Sequence, residues 1–306
     1  MNIFFKIGIP SWEESESWGD FHLVKAMGKE LEKKGHHCTI QILPEWKGSA
    51  DCLSDITIHV KGLSRYKPKH GPLNIMWLIS HPDKVKIREL KRYDVILVAS
   101  RPYARQLQGK IDVPVYTLLQ FADSGLMYPE PEPDLACQLL FLGNSRRVRR
   151  QIIDDLLPTE FDLHVWGADW EGIIPKRYIK GQYFPYENAR KLYSNACIVL
   201  NDHWEDMKRH GFINNRIFDA LACRAFVLSD RCEDLNNLLH GGVITYQGKR
   251  DLHEKVKHFL SHESERKKIA SQGYEMVLKQ HSLSSGVNNL RHIIHKTVNQ
   301  AGDIVS

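Results

Sequence analysis

Long apolar runs are missing from this chain of 306 residues. None approaches the ~20 residues that span a bilayer, so a membrane-spanning chain is not expected. The first ten residues, Met1 to Pro10, are apolar but have no basic leader and no small-residue cleavage site. They read as a first core strand, and the expected location is the cytoplasm. Six cysteines are present, none in a Cys-x-x-Cys pair, and four lie inside apolar segments. That pattern predicts buried free thiols in a reducing compartment. The sixteen histidines are scattered, and no His-x-x-x-His pair follows a metalloprotease pattern, so no structural metal is expected. No nucleic-acid motif and no aromatic-glycine signature of an RNA-binding sheet occur. This holds although the net charge is +5 and basic residues cluster at Lys61–Lys69, Lys84–Arg92 and Arg146–Arg150. No nucleic-acid partner is expected. The clusters read mainly as solvated helix faces, with a peripheral contact to anionic membrane or a phosphorylated substrate left open. Finally, Asp-x-Asp occurs nowhere in the chain.

What is present alternates between strand and helix. Ile3–Ile9 reads as a strand and Asp20–Lys34 as an amphipathic helix that Gly35 ends. Cys38–Leu43, Asp55–Val60, Ile75–Ser80, Val95–Ser100 and Val115–Leu119 follow as short apolar runs between turns. Continuous apolar strands with intervening helices predict a parallel sheet covered on both faces. Residues 128–134, Tyr-Pro-Glu-Pro-Glu-Pro-Asp, read as a stiff linker, since alternating prolines block helix and sheet pairing. The expected division is therefore 1–128, an amino-terminal Rossmann-like domain; 135–285, a second one; and 286–306, a helix and tail crossing back to the first.

The second half starts with a strand at Gln138–Leu142, then Gly143-Asn144-Ser145 and a basic helix expected over Arg146–Leu156. Within that helix Arg147 and Arg150 lie three apart and would share a face. A glycine between strand and helix permits close backbone approach to a phosphate. The most informative stretch is Gly211–Asp230, read as a small loop, a helix and a buried strand. Asn215, Arg216 and Asp219 fall at spacings of three and four and share one helical face. A helix start that offers N–H groups, the Asn214 and Asn215 amides and an arginine is an anion site. A carboxylate one turn further in reaches sugar hydroxyls. Together they suit a nucleotide diphosphate-sugar. On the other half, Asp20 and His81 each follow a strand and are the candidate general bases, Asp20 being narrowly preferred. Trp166, Gly167 and Tyr193 are weaker candidates for a nucleobase pocket, with core packing the plainer reading of both aromatics.

These residues resemble the GT-B glycosyltransferases, in particular the CgeB-like, group 1 branch. The resemblance rests on Trp18-Gly19-Asp20-Phe21-His22 with Lys34-Gly35-His36, on Phe141-Leu142-Gly143-Asn144-Ser145, on Leu192-Tyr193-Ser194-Asn195-Ala196 before Val199-Leu200-Asn201, on the helix around Asp219, and on His281. Two departures stand out. Gly211 lies eight residues before Asp219, where many relatives carry a second acid. Arg224 in Ala222-Cys223-Arg224 replaces a glycine. The resemblance implies an α/β, GT-B architecture of two Rossmann-like domains facing across a cleft. It implies a glycosyltransferase that moves a sugar from a nucleotide-sugar donor to a hydroxyl of a glycan or lipid-linked acceptor. Asp20 or His81 would be the base. Gly143, Asn144, Ser145, Arg147, Arg150, Asn214, Asn215, Arg216 and Asp219 would bind the donor. The other large glycosyltransferase fold holds its diphosphate through a metal on Asp-x-Asp. Its absence implies a metal-independent reaction with no cofactor. Two alternatives share this architecture: a nucleotide-sugar 2-epimerase, and a non-catalytic, coat-associated binding protein.

Overall fold

Apolar strand residues buried on both faces drive the chain into two six-stranded, all-parallel sheets. The computed structural model describes residues 1–48 and 53–305. Contacts divide the chain into two units. The first comprises Met1–Phe121, Trp204–Ile213 and His281–Ser306, and the second comprises Ala122–His203 and Asn214–Gln280.

The first unit carries strands β1 (Asn2–Ile7), β2 (His37–Gln41), β3 (Ile56–Lys61), β4 (Leu73–Leu78), β5 (Val95–Val98) and β6 (Val115–Thr117), in the order β2-β1-β3-β4-β5-β6. Helices α1 (Gly19–Glu32), α2 (Ile87–Leu90) and α3 (Arg101–Gln108) connect them. Helix α1 closes as expected: Gly35 adopts φ +83, a left-handed conformation that suits glycine. The order reverses between β1 and β3, so the loops after these strands flank the switch point where α/β sheets bind ligands.

In the second unit, β7 (Cys137–Leu142), β8 (Leu163–Trp166), β9 (Ile179–Gly181), β10 (Ala196–Asn201), β11 (Val227–Asp230) and β12 (Ile244–Tyr246) take the order β12-β11-β10-β7-β8-β9. This is the doubly wound Rossmann order, with its switch point between β7 and β10. Helices α4 (Gln151–Leu156), α5 (Ala189–Asn195), α7 (Asn215–Ala222), α8 (Leu235–Leu239), α9 (Gly248–Ser261) and α10 (Glu263–Gln280) belong here, while α6 (Glu205–Arg209) and α11 (Leu283–Val305) belong to the first unit.

Four local features were not legible in the sequence. The stretch Gly211–Asp230 is not one block, because the chain changes unit between Ile213 and Asn214. The preceding segment is fixed to the first unit by Met207 and Phe212, both buried, and by Ser100 Oγ donating to the His210 carbonyl at 2.6 Å. Arg209 and His210 both pair with Asp83. The basic helix begins only at Gln151. Arg146 and Arg147 have φ +55 and +60, so the chain turns there instead of coiling. Ser145 Oγ holds that turn by donating to the Val148 carbonyl at 2.8 Å. The proline-rich segment does not hang free. Its Glu130 and Glu132 N–H groups donate to Ser194 Oγ and Asn195 Oδ1, both at 2.9 Å, and its carboxylates pair with Arg190 and Lys191 of α5. Lastly, Lys6 and Lys61 are fully buried in β1 and β3. Lys6 Nζ donates to Gln41 Oε1, and Lys61 Nζ donates to the Ser64 carbonyl at 2.8 Å beside Glu89.

Helix α11 belongs to the first unit's core through Val287, Leu290, Ile293 and Ile294. A Cβ on Gly286 would lie 2.1 Å from the Phe121 ring, so only glycine lets α11 approach. The five described cysteines are free thiols; Cys52 lies outside the described residues. None of the described helices is long and apolar enough to cross a membrane.

Candidate functional site

The second unit's switch point is built around Asp202, which follows β10 and is 1% exposed. Its carboxylate accepts Arg150 Nε at 3.0 Å and Arg150 NH2. Its carbonyl accepts Arg216 NH2 at 3.0 Å, Asn214 Nδ2 at 3.0 Å and Arg150 NH2 at 3.3 Å. One residue therefore fixes two guanidinium groups and an amide. Both guanidiniums also lie over the Phe141 ring, at 5.8 and 5.3 Å from its centre, where the ring face stabilises a cation. Two guanidinium groups thus converge on one residue at the carboxyl end of the sheet.

The two arginines are not equivalent. Arg150 is buried against Asp202. Arg216 is partly open, its side chain 26% exposed, and donates NH1 to the Leu142 carbonyl at 3.2 Å. Its bonds to Leu142 and Asp202 use two of the five N–H groups of a guanidinium. Burial first, and then Arg150, hold its pKa down to about 10; it remains a cation at neutral pH. Gly143 makes room for it, since a Cβ there would lie 2.5 Å from Arg216 NH1. The glycine thus serves the arginine directly. Asn144 Oδ1 accepts the Ala168 N–H at 2.9 Å and secures the same loop, and Ser145 is fully buried. Arg147 is not with this group. It is exposed, with Nε 3.7 Å from Asp169. Arg147 and Arg150 share no helical face because no helix forms there.

Helix α7 starts at Asn215 with Asn214 as its cap residue, and its first N–H groups have no intrahelical acceptor. Asp219, one turn in, is 2% exposed. Its Oδ2 accepts Asn215 Nδ2 at 2.9 Å and Tyr186 OH at 3.1 Å, while Oδ1 has no partner. Burial pushes its pKa up to about 8, against the lowering effect of the Tyr186 and Asn215 hydrogen bonds. At neutral pH it is mostly the neutral acid. Tyr193 is core, 3% exposed. Gly167 lines a cavity of about 370 Å³ together with Arg147, Asp169, Trp170, Glu171 and Gln182. At the far end of α7, Arg224 has φ +56; its guanidinium stacks 4.5 Å from the Tyr274 ring centre, which offsets that strain.

In the first unit Asp20 lies in the first turn of α1, after the loop that follows β1. His81 follows β4 in a left-handed conformation, φ +52. Its Nδ1 is 3.7 Å from Asp206 Oδ2, and its ring lies 6.0 Å from that of Trp204. Sequence reasoning missed Asp206, Asp202 and Tyr186. The polar triplet Asn201-Asp202-His203, directly after an apolar strand, was the available signal for Asp202. Among the described residues no three His, Cys, Asp or Glu side chains converge as a metal site.

A strand-order reversal, a pair of arginines and a buried carboxyl group one turn along α7 are thus all found in the second unit. Residues 146–291 match the family model described as glycosyl transferase-like. The chain is also 30% identical over 155 residues to the spore protein CgeB of Bacillus subtilis, covering 45% of this chain and 47% of CgeB. It thus spans about half the length of that relative. Among solved structures it is similar to a sucrose-phosphate synthase from Thermosynechococcus elongatus, with TM-score 0.71, 10% identity, and coverage of 98% of this chain and 99% of that one. It is also similar to a DNA-modifying β-glucosyltransferase solved with and without uridine diphosphoglucose, with TM-score 0.66, 12% identity, and coverage of 98% and 100%. At such identities the likeness concerns the fold, which is GT-B.

Proposed function

We propose that this protein is a glycosyltransferase that moves a sugar from a nucleotide-sugar to a hydroxyl of a glycan or lipid-linked acceptor. The observation that carries this reading is the pair Arg150 and Arg216 fixed by Asp202 at the second unit's switch point. A donor diphosphate is an anion, and its leaving group gains charge as the glycosyl bond breaks. Preorganised guanidinium and backbone N–H groups stabilise that charge. With the arginines in this role the reaction needs no metal ion or other cofactor. UDP-glucose named with a structural relative makes a UDP-sugar the first donor to test. DNA named with that same relative does not carry over at such low identity.

The first unit would hold the acceptor and the base. Of the two candidates, His81 now has the stronger support, because Asp206 lies beside its Nδ1 and would stabilise the imidazolium formed as the acceptor hydroxyl loses its proton. Asp20, at a helix start, is favoured as an anion and is the weaker base. Free thiols at the described cysteines fit a reducing, cytoplasmic setting. The exposed basic residues of Lys84–Arg92 fit a peripheral contact with an anionic membrane that presents a lipid-linked acceptor.

The test is nucleoside diphosphate release from UDP-glucose and other nucleotide-sugars, with and without a cell-envelope acceptor extract. Acceptor-dependent release supports transfer. Isomerisation of the donor alone would indicate an epimerase. Binding with no turnover under any acceptor would indicate a non-catalytic protein.

A further inference from the structure

The carboxyl ends of β10 and β11 carry a second polar group that the diphosphate site does not use. Asn201 and Ser229 are register partners in these strands. Asn201 Nδ2 donates to Ser229 Oγ at 3.0 Å, and Ser229 Oγ donates to Asp230 Oδ1 at 3.2 Å. The same carboxylate takes His203 Nδ1 at 2.6 Å and the His203 N–H at 3.0 Å.

This chain of bonds has one direction. A carboxylate only accepts, so the Ser229 hydrogen points to Asp230 and the Ser229 lone pair takes the Asn201 amide N–H. The orientation of that amide is thereby set. For the same reason the proton of a neutral His203 ring sits on Nδ1, and the lone pair is on Nε2. Two acceptor atoms are left over, Asn201 Oδ1 and His203 Nε2. Neither has a hydrogen-bond partner, and both residues are buried, at 2% and 7% exposure. Buried acceptors without donors are costly and rare. Here two occur two positions apart, on either side of the residue that holds Arg150 and Arg216.

We propose that Asn201 Oδ1 and His203 Nε2 form a diol subsite, each accepting a hydrogen bond from one hydroxyl of a sugar ring. This rests on the donor-binding reading above and adds residues to it. Neutral hydroxyls fit because the Asp230 charge is already taken up by three hydrogen bonds, and lone pairs repel an anion. The diol belongs either to the ribose of the nucleotide or to the sugar being transferred.

Calorimetry on the full chain distinguishes the sources, using UDP, 2′-deoxy-UDP and UDP-glucose, and the matching guanosine series. The variants are His203→Phe and Asn201→Leu, with folding checked by thermal melting. If the ribose is held, the 2′-deoxy nucleotide binds wild type about tenfold or more weakly than its parent, and the variants lose that discrimination. If the transferred sugar is held, the nucleotide-sugar loses about tenfold or more in the variants while the diphosphate does not. Should a variant fail to fold, the ribose and deoxyribose comparison in wild type and the remaining variant still decide. Wild type and variants binding every ligand of a series within twofold of one another would overturn the subsite and leave the donor reading standing. If wild type binds no member of either series, the donor reading falls and the subsite with it.

Discussion

Replacing Asp219 by Asn should stabilise the protein, and increasingly so as the pH rises. Asp219 is buried, and its carboxyl titrates near 8 in the fold against 3.8 for an unperturbed aspartate. Between those values the folded chain holds a proton that the unfolded chain releases. Stability therefore falls as pH rises from about 4 toward 8 and levels off above that. At about 1.4 kcal/mol per pH unit, the cost of keeping Asp219 protonated grows by about 3 kcal/mol between pH 5 and pH 7.5. Asparagine keeps a carbonyl oxygen for Tyr186 and Asn215 and carries no such cost. Urea unfolding of wild type and Asp219→Asn at half-unit pH steps, followed by far-UV circular dichroism, measures the difference. The expected gap in unfolding free energy widens by about 3 kcal/mol across that range. A gap constant to within about 0.5 kcal/mol would show Asp219 ionised in the folded state and refute the argument from burial.

Three further outcomes follow from the geometry. Asp202→Asn leaves the Arg150 charge buried without its counter-ion and should cost about 3–5 kcal/mol of stability in urea unfolding; a loss under about 1 kcal/mol would mean that the Asp202 carboxylate does not hold Arg150. His81→Ala should lower turnover by ~10²–10⁴-fold and leave donor affinity within twofold, with Asp20→Asn the milder change. Near wild-type turnover in both would place the base elsewhere, and a retaining stereochemical outcome would remove the need for one. Turnover should survive EDTA, and complete loss restored by Mn²⁺ or Mg²⁺ would contradict the metal-independent reading.

Much of the fold was legible because parallel strands buried on both faces leave continuous apolar runs, as in Val95–Val98 and Ala196–Asn201. The face shared by Asn215 and Asp219 was legible from helical spacing, and the two side chains are hydrogen-bonded at 2.9 Å. Elsewhere tertiary contacts decided. Residues 204–213 join the first unit through Met207 and Phe212, and an apolar residue carries no signal of which core it will enter. The left-handed turn at Arg146 and Arg147 overrode a helix-forming composition, because Ser145 and Arg150 are tied down on either side. Lys61 read as part of a solvated basic cluster, yet it is buried, with its ammonium on the Ser64 carbonyl and beside Glu89. The part played by Asp202 depends largely on its backbone carbonyl, an atom every residue has.

The central claim is that Arg216 receives a nucleoside diphosphate in the second unit. Calorimetric titration of wild type and Arg216→Ala with UDP, GDP, ADP, CDP and dTDP, in buffer containing EDTA, tests it most directly. At least one of these should bind wild type, and Arg216→Ala, shown folded by its melting curve, should bind it about 1.5–3 kcal/mol more weakly, the worth of a charge-assisted hydrogen bond. No binding of any of the five to wild type, or an unchanged dissociation constant in the variant, would contradict it.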